Sequence, residues 1–270
     1  NEGRDSFENK TTILANDINL ETSLWNPIGT AEHTFKGNFE AKETEGESQQ
    51  HAVINNFNFV SAETGFGLFG YVENAEIKNL TVSGSSTGEQ DIAGIAGNAK
   101  NSKFIGCINN VDMVGVNKAG GIAGIAEGSI FESCENRGSV SASGEKGNAG
   151  GIVSEIKGES RIENCVNSGV VEGKLYTGAD VTAGTSGKKT SIIGSYNSEK
   201  GTVKGSGTYV GGVAGSIGGS NEIIDCYNEG KIDSNAEYAA GVAGILNPGA
   251  VVEACYNSEK GRVKNTGKYT

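Results

Sequence analysis

The chain has 270 residues, of which 43 are glycine and 2 are proline, and its formal net charge is −11 with a sequence pI near 4.8. This negative charge opposes binding to nucleic acid or to an anionic membrane surface, so we expect neither partner. No apolar run approaches the roughly 20 residues of a membrane-spanning helix, and we predict no membrane insertion.

The first 64 residues lack a repeat, and we interpret residues 1–64 as an N-terminal cap with irregular first coils. Apolar stretches at 13–20, 35–39 and 53–59 are predicted to be strands. The polar stretch 40–50 is predicted to be a loop. Large aromatic side chains, including the single tryptophan Trp25, indicate a plug for the open end of the core, with a ligand pocket as the alternative.

Residues 65–270 contain seven copies of a short glycine-rich pattern. The copies open at Gly67, Gly94, Gly121, Gly151, Gly184, Gly212 and Gly241, and the differences between these positions are 27, 27, 30, 33, 28 and 29 residues. Repeats of this length are typical of a solenoid or an array. We expect one continuous unit that is truncated at its C-terminal end, because the last copy simply stops.

Each copy carries a second landmark 11 to 14 residues after its opening residue. All five cysteines occupy this slot, namely Cys107, Cys134, Cys165, Cys226 and Cys255, and Leu80 and Ser195 fill it in the other two copies. Two residues later an asparagine follows in every copy but the first: Asn109, Asn136, Asn167, Asn197, Asn228 and Asn257.

Short β-branched runs bounded by Gly, Asn and Ser predict strands, whereas a helical repeat would need apolar residues at helical spacing. No copy has the regular leucine spacing of a leucine-rich repeat, and the copies are too short for a propeller blade. The sequence therefore predicts an all-β fold, a single-stranded parallel β-helix of about seven coils. We expect the right-handed form, because parallel crossovers are usually right-handed.

Stacked coils would place equivalent residues in columns. An interior asparagine could then hydrogen-bond to the asparagines above and below it. The cysteines are predicted to form a buried column of free thiols, since their number is odd and no disulfide framework is indicated; a metal or redox role is the alternative.

The residue after the cysteine slot should point outward, because side chains alternate along a strand. In the last three copies this residue is Tyr196, Tyr227 or Tyr256. We predict an aromatic strip that packs against sugar rings, and the alternative is a self-stacking ladder that only stabilises the coils.

Several segments carry a family resemblance: residues 17–20, 25–29, 35–39 and 65–71, and the later segments 211–215 and 226–230. Their succession resembles bacterial surface proteins with GLUG-type repeats, although residues after Phe39 and the fifth copy depart from that pattern. The resemblance implies a secreted or wall-attached binding or spacer module without a shared catalytic residue set. Repeats of this kind also occur beside protease domains of the immunoglobulin A protease type.

Catalytic chemistry has little support in the sequence. Glu132 with Glu163, and Asp225 with Glu253, are conceivable carboxylate pairs, but we interpret them as solvated charges on the outer face. The only histidines, His33 and His51, lie in the cap, and no metal motif is present. We therefore predict no catalytic residues, no metal and no cofactor.

The resulting prediction is a non-enzymatic, extracellular, adhesin-like or ligand-presenting module of a bacterium, expected to be a monomer. Its expected partner is a host glycan or a host surface protein. The alternatives are a polysaccharide lyase or hydrolase on the same scaffold, or a passive stalk for other domains.

Overall fold

The computed structural model describes residues 5–21, 24–42, 51–184 and 189–270. Within these ranges no helix occurs, and the paired strands run parallel in three sheets, which we call A, B and C. The predicted all-β parallel β-helix is confirmed. None of the described residues forms a helix that could span a membrane.

Each sheet is built from equivalent segments of successive coils. Sheet A comprises Thr11–Leu14, Asn38–Ala41, Glu76–Lys78, Lys103–Ile105, Ile130–Glu132, Arg161–Glu163, Ser191–Ile193, Glu222–Ile224 and Val251–Glu253. Sheet C comprises Phe69–Glu73, Ala96–Lys100, Ala123–Glu127, Val153–Lys157, Val181–Gly184, Ala214–Ile217 and Ala243–Leu246. Sheet B comprises Ile18–Asn19, Val53–Phe57, Val60–Phe66, Thr81–Ala93, Ile108–Gly115, Lys118–Gly120, Glu135–Asn136, Val140–Ala142, Asn148–Gly150, Val166–Asn167, Val170–Gly173, Tyr176–Gly178, Tyr196–Asn197, Thr202–Gly205, Tyr209–Gly211, Tyr227–Asn228, Lys231–Ser234, Tyr238–Ala240, Tyr256–Asn257 and Arg262–Asn265.

Every repeat follows the same path, from sheet C to sheet A and then through sheet B. We number the coils one to seven by their first residues, which are Gly67, Gly94, Gly121, Gly151, Ala179, Gly212 and Gly241.

The opening of coil five differs from the sequence prediction. The pattern placed it at Gly184, but Val153 pairs with Val181, and Val181 pairs with Ala214. This register puts Ala179 in the slot of Gly151 and Gly212. Coil five carries alanine in this slot, and Gly184 opens a later segment that resembles the motif.

A left-handed backbone bend turns each coil from sheet A into sheet B. The residue just before the cysteine slot has a positive φ of 51 to 60° in all seven coils. These residues are Asn79, Gly106, Ser133, Asn164, Gly194, Asp225 and Ala254. Glycine and asparagine enter this conformation at the lowest cost, and they supply four of these seven residues.

The predicted asparagine ladder is confirmed. Each side-chain Nδ2 donates to the Oδ1 of the next coil at 2.7–2.8 Å, in an unbroken series from Asn109 to Asn257. All members are fully buried except Asn257, which is exposed on the last coil. The ladder satisfies amides that burial would otherwise leave unpaired.

All five cysteines lie in the described part of the chain and are free thiols. Four are fully buried and Cys255 is partly exposed. Burial raises the pKa of the Cys107 and Cys134 thiols well above the ordinary value. The cysteines pack in the apolar core as small apolar side chains would, where each coil passes from sheet A to sheet B.

A second polar ladder, which the sequence did not reveal, lies at the bend between sheets C and A. The backbone N–H of Ser102 donates to the Ser129 hydroxyl at 3.1 Å, and that of Ser129 donates to Ser160 at 3.1 Å. Further along, the N–H of Thr190 donates to Asn221 Oδ1 at 2.9 Å. Side chains here replace backbone partners that a turn cannot supply.

The N-terminal strands continue the same sheets. Thr11–Leu14 pairs with Asn38–Ala41, which pairs with Glu76–Lys78 of coil one. Trp25, Phe57 and Phe59 form a chain of edge-to-face ring contacts below the repeat core. Most of the predicted loop, residues 43–50, lies outside the described residues, and the boundary after residue 64 stays a prediction.

Candidate functional site

The predicted tyrosines lie together on the outer face of sheet B. Tyr196, Tyr227 and Tyr256 are register partners in coils five, six and seven. Their ring centroids are 4.6 and 5.3 Å apart, with interplanar angles of 7° and 8°. Each ring points outward because the next residue is an inward ladder asparagine.

This geometry changes the contact that the sequence predicted. Parallel rings at these centroid distances are stacked on one another, so their faces are largely covered by neighbouring rings. The strip therefore presents ring edges and a row of phenol hydroxyls to solvent. A ligand along this row would meet hydrogen-bonding groups, and Tyr256, which is 54% exposed, offers the most open ring.

A polar column runs beside the tyrosines, two residues further along each strand. It consists of Ser168, Ser198, Glu229 and Ser258 in coils four to seven. The hydroxyls of Ser198 and Ser168 lie 3.1 Å apart and are hydrogen-bonded. Together with the three tyrosines, this column forms a surface that we call the tyrosine groove.

Two cavities lie along the groove and share Glu229. One of about 660 Å³ is lined by Glu135, Val166, Ser168, Tyr196, Ser198, Glu199, Lys200 and Glu229. The other, of about 410 Å³, is lined by Glu229, Tyr256, Asn257, Ser258, Glu259 and Lys260. Both are open depressions on the outer surface, and Tyr227 lines neither of them.

Glu229 is a groove carboxylate without a hydrogen-bonded or ion-paired partner among the described residues, although the Lys260 ammonium group interacts with it electrostatically. Its side chain makes no hydrogen bond or salt bridge to the described residues, whereas Glu199 is ion-paired with Lys260. Burial raises the pKa of the Tyr227 phenol, and the nearby Tyr196 and Glu229 add to this effect. The carboxylate is therefore available as a hydrogen-bond acceptor at the centre of the groove.

A second row of tyrosines was missed in the sequence. Tyr176, Tyr209, Tyr238 and Tyr269 stack at 5.6, 5.2 and 4.9 Å on another edge of sheet B. We call it the second tyrosine row. Three equivalent strands of sheet B begin with a tyrosine, namely Tyr176–Gly178, Tyr209–Gly211 and Tyr238–Ala240. This recurring tyrosine is the signal that could have revealed the row.

The conceivable catalytic carboxylates form no isolated pair. Glu132 and Glu163 are register partners on the outer face of sheet A, but Glu132 is ion-paired with Lys103 at 3.2 Å and Glu163 with Arg161. Asp225 occupies a left-handed bend, where its residue type serves the backbone turn.

The two histidines are separated from the cysteine column, as expected from their place in the cap region. His33 lines two cavities, of about 430 and 890 Å³, on either side of the segment 26–33. His51 forms a short bridge before Val53–Phe57. Neither cavity contains a cysteine.

No protein-family model and no curated protein matches this chain. The GLUG-type resemblance therefore stays a prediction.

Solved structures with the same fold do exist. One is a candidate immunoglobulin A1 protease from Bacteroides ovatus, which is 20% identical, with a TM-score of 0.68 over 90% of this chain and 77% of that chain. Another is named IgA1 protease and is 16% identical, with a TM-score of 0.55 over 93% of this chain. This chain spans only 20% of the length of that second protein.

These comparisons correct one prediction. The prediction that the chain is not an enzyme is contradicted, because both similar structures are named as proteases. The error has a physical origin: a repeat pattern specifies how coils stack, and it carries no information about chemistry placed on the outer face. At these identities the likeness establishes a shared fold, a β-solenoid that is also found in a bacterial protein of Bacteroides.

Proposed function

We propose that this chain is an extracellular, adhesin-like binding module of a bacterial surface protein, secreted or attached to the cell wall. We further propose that the tyrosine groove is its binding surface and that the ligand is a glycan. The observation that carries the proposal is the row of stacked phenol hydroxyls beside the Glu229 carboxylate, which makes no hydrogen bond or ion pair with the described residues.

The chemistry of the groove favours a neutral polyhydroxylated ligand. Phenol and serine hydroxyls both donate and accept hydrogen bonds, and a carboxylate accepts strong ones from sugar hydroxyls. The net charge of −11 opposes a polyanionic ligand. A protein partner would be expected to bury a larger apolar centre than this groove offers.

The repeat also suggests how the ligand lies. Successive coils place equivalent groups at the 4.6–5.3 Å spacing of the rings. A linear polymer that runs along the solenoid axis would meet a tyrosine, a hydroxyl or carboxylate, and an open groove wall in each coil. Binding along the axis therefore adds contacts in proportion to ligand length.

The similar structures favour a second candidate. The Bacteroides ovatus structure is matched over 77% of its own length, so a solenoid of this kind makes up most of a chain that is named for immunoglobulin A1 proteolysis. The second candidate is a protein that binds or cleaves immunoglobulin A1. Incubation of the chain with immunoglobulin A1, followed by electrophoresis, tests for cleavage.

The glycan proposal is tested on a glycan array with three proteins. The parent is compared with the triple variant Tyr196→Ser, Tyr227→Ser and Tyr256→Ser, and with a matched control that carries Tyr176→Ser, Tyr209→Ser and Tyr238→Ser in the second tyrosine row. Thermal melting first shows that both variants are folded. We expect loss of glycan retention only in the groove variant.

Two results would contradict the proposal. Retention that survives in the folded groove variant would make the groove tyrosines structural. Retention by none of the three proteins would favour the passive stalk, or the immunoglobulin candidate if cleavage or binding of immunoglobulin A1 is seen.

A further inference from the structure

One carboxyl group lies inside the solenoid. The strand registers place Asp180 in an interior column that is otherwise apolar, between Ile152 and Val213. The other members of this column are Leu68, Ile95, Ile122 and Val242. The backbone at Asp180 is regular, since the Asp180 N–H donates to the Val213 carbonyl at 2.9 Å. The side chain alone departs from the pattern.

This carboxyl group has no hydrogen-bond partner in the part of the chain that the structure describes. Asp180 is fully buried, and neither of its oxygens has a hydrogen-bond partner among the described residues. The titratable side chain that interacts with it there is the Cys226 thiol, which is itself buried. Burial raises the pKa of Asp180 well above its usual range, because an ionised carboxylate without a partner is strongly disfavoured in an apolar interior.

Coil five and its edge depart from the repeat at other positions as well. Ala179 replaces the opening glycine, and Ser195 replaces cysteine in the thiol column. Thr177 stands in an interior column beside Ala149, and its buried hydroxyl has no partner among the described residues. Of the five buried side-chain atoms without a partner among the described residues, three belong to Thr177 and Asp180, and the other two belong to Asn148 and Asn221. Stacking should therefore be weakened most where Thr177 and Asp180 lie.

We propose that Asp180 makes coil five a pH-dependent weak point of the solenoid. The coil is closed while Asp180 carries a proton, and ionisation of Asp180 favours local opening while distant coils stay folded. Repeat proteins permit such local opening, because each coil contacts only its neighbours.

The direction follows from linkage. The folded coil binds the Asp180 proton more tightly than the open coil does, because the folded pKa is raised above the ordinary value of 3.8. The stabilisation by the bound proton is complete below the open-state pKa and is lost as the pH rises towards the folded pKa. Between these two values the open fraction should increase about tenfold for each pH unit.

Native alkylation of the thiols measures this opening. Cys226 packs near Asp180, whereas Cys134 is two coils away, in coil three, and both are fully buried. The labelling rate of Cys226 divided by that of Cys134 at the same pH removes the general effect of pH on thiol reactivity. The ratio is measured from pH 5 to pH 8 in the parent, in Asp180→Val and in Asp180→Asn.

We expect the ratio to rise with pH in the parent by up to about tenfold per unit. It should be independent of pH in both variants, since neither valine nor asparagine ionises. Valine fits the site, because Val213 occupies the same column in coil six. Hydrogen exchange of the parent provides a second readout. The exchange rate of the Val181 amide is divided by that of the Ala123 amide in coil three, after each rate is corrected for intrinsic exchange. We expect this ratio to rise with pH.

A parent ratio that does not change with pH overturns the proposal. An equal rise in the parent and in Asp180→Val also overturns it, because the pH dependence would then come from another group. If a variant fails to fold, the hydrogen-exchange comparison within the parent alone decides between these results.

Discussion

An interior asparagine such as Asn136 makes hydrogen bonds in three directions. Asn136 Nδ2 donates to Asn167 Oδ1 at 2.8 Å and to the Gly138 carbonyl at 3.1 Å, and its Oδ1 accepts from Asn109 at 2.8 Å. The residue is fully buried. Removal of one side chain therefore leaves buried polar groups of neighbouring coils without partners.

We expect Asn136→Ala and Asn167→Ala each to lower the free energy of unfolding by about 1–3 kcal/mol. Asn257→Ala should cost less, because Asn257 is exposed and has one ladder neighbour in the described chain. Urea unfolding of the three variants measures the difference. Equal losses at all three positions would show that stacking inside the ladder adds nothing.

The sequence predicted this ladder because asparagine recurs at a fixed offset from the cysteine slot. It did not predict the environment of Asp180. The pattern there lacks both glycine and an apolar residue, so the true opening of coil five was passed over in favour of Gly184. A single polar replacement in an apolar column is visible only when strand register is known.

At the scale of one coil, the left-handed bend before the cysteine slot is the most regular feature. Gly106 and Gly194 both have φ of 60°, whereas Ser133 and Ala254 adopt φ of 54° and 51° despite their side chains. A residue with a Cβ atom is strained in this region, because the Cβ approaches the following carbonyl oxygen.

Ser133→Gly should therefore stabilise the protein by about 1 kcal/mol, which is the strain that glycine lacks. Gly106→Ala is the matched control and should destabilise it, since the added Cβ would also lie 2.8 Å from Asn79 Oδ1. Thermal melting of both variants provides the measurement. A lower melting temperature for Ser133→Gly would mean that the serine side chain makes a contact worth more than the strain.

The strand composition of a coil was partly predictable. Short β-branched runs predicted strands in each repeat, and the strands of the structure form three sheets. The division of sheet B into separate short segments was not foreseen, and neither was the second tyrosine row. The row does have a signal, a tyrosine at the start of three equivalent sheet B strands, but a repeat pattern defined by glycine, cysteine and asparagine does not include that position.

At the scale of the whole molecule, inner and outer faces carry different information. Inward columns repeat with little change, because each must fit the coils above and below it. The outward column that ends in the groove tyrosines begins with Thr81, Ile108, Glu135 and Val166. The fold could therefore be predicted from repetition, while the site depends on outer residues that change from coil to coil.

The proposed mode of binding makes the length of the ligand the decisive variable. Oligosaccharides of increasing length are prepared from a glycan that binds the protein on the array. They are titrated into the protein, and their affinities are measured by calorimetry. We predict that affinity rises with each added unit until the ligand spans Tyr196, Tyr227 and Tyr256, and then stays constant. Affinity that is independent of length, or no binding by any oligosaccharide, would contradict the assignment of the tyrosine groove as a glycan-binding surface.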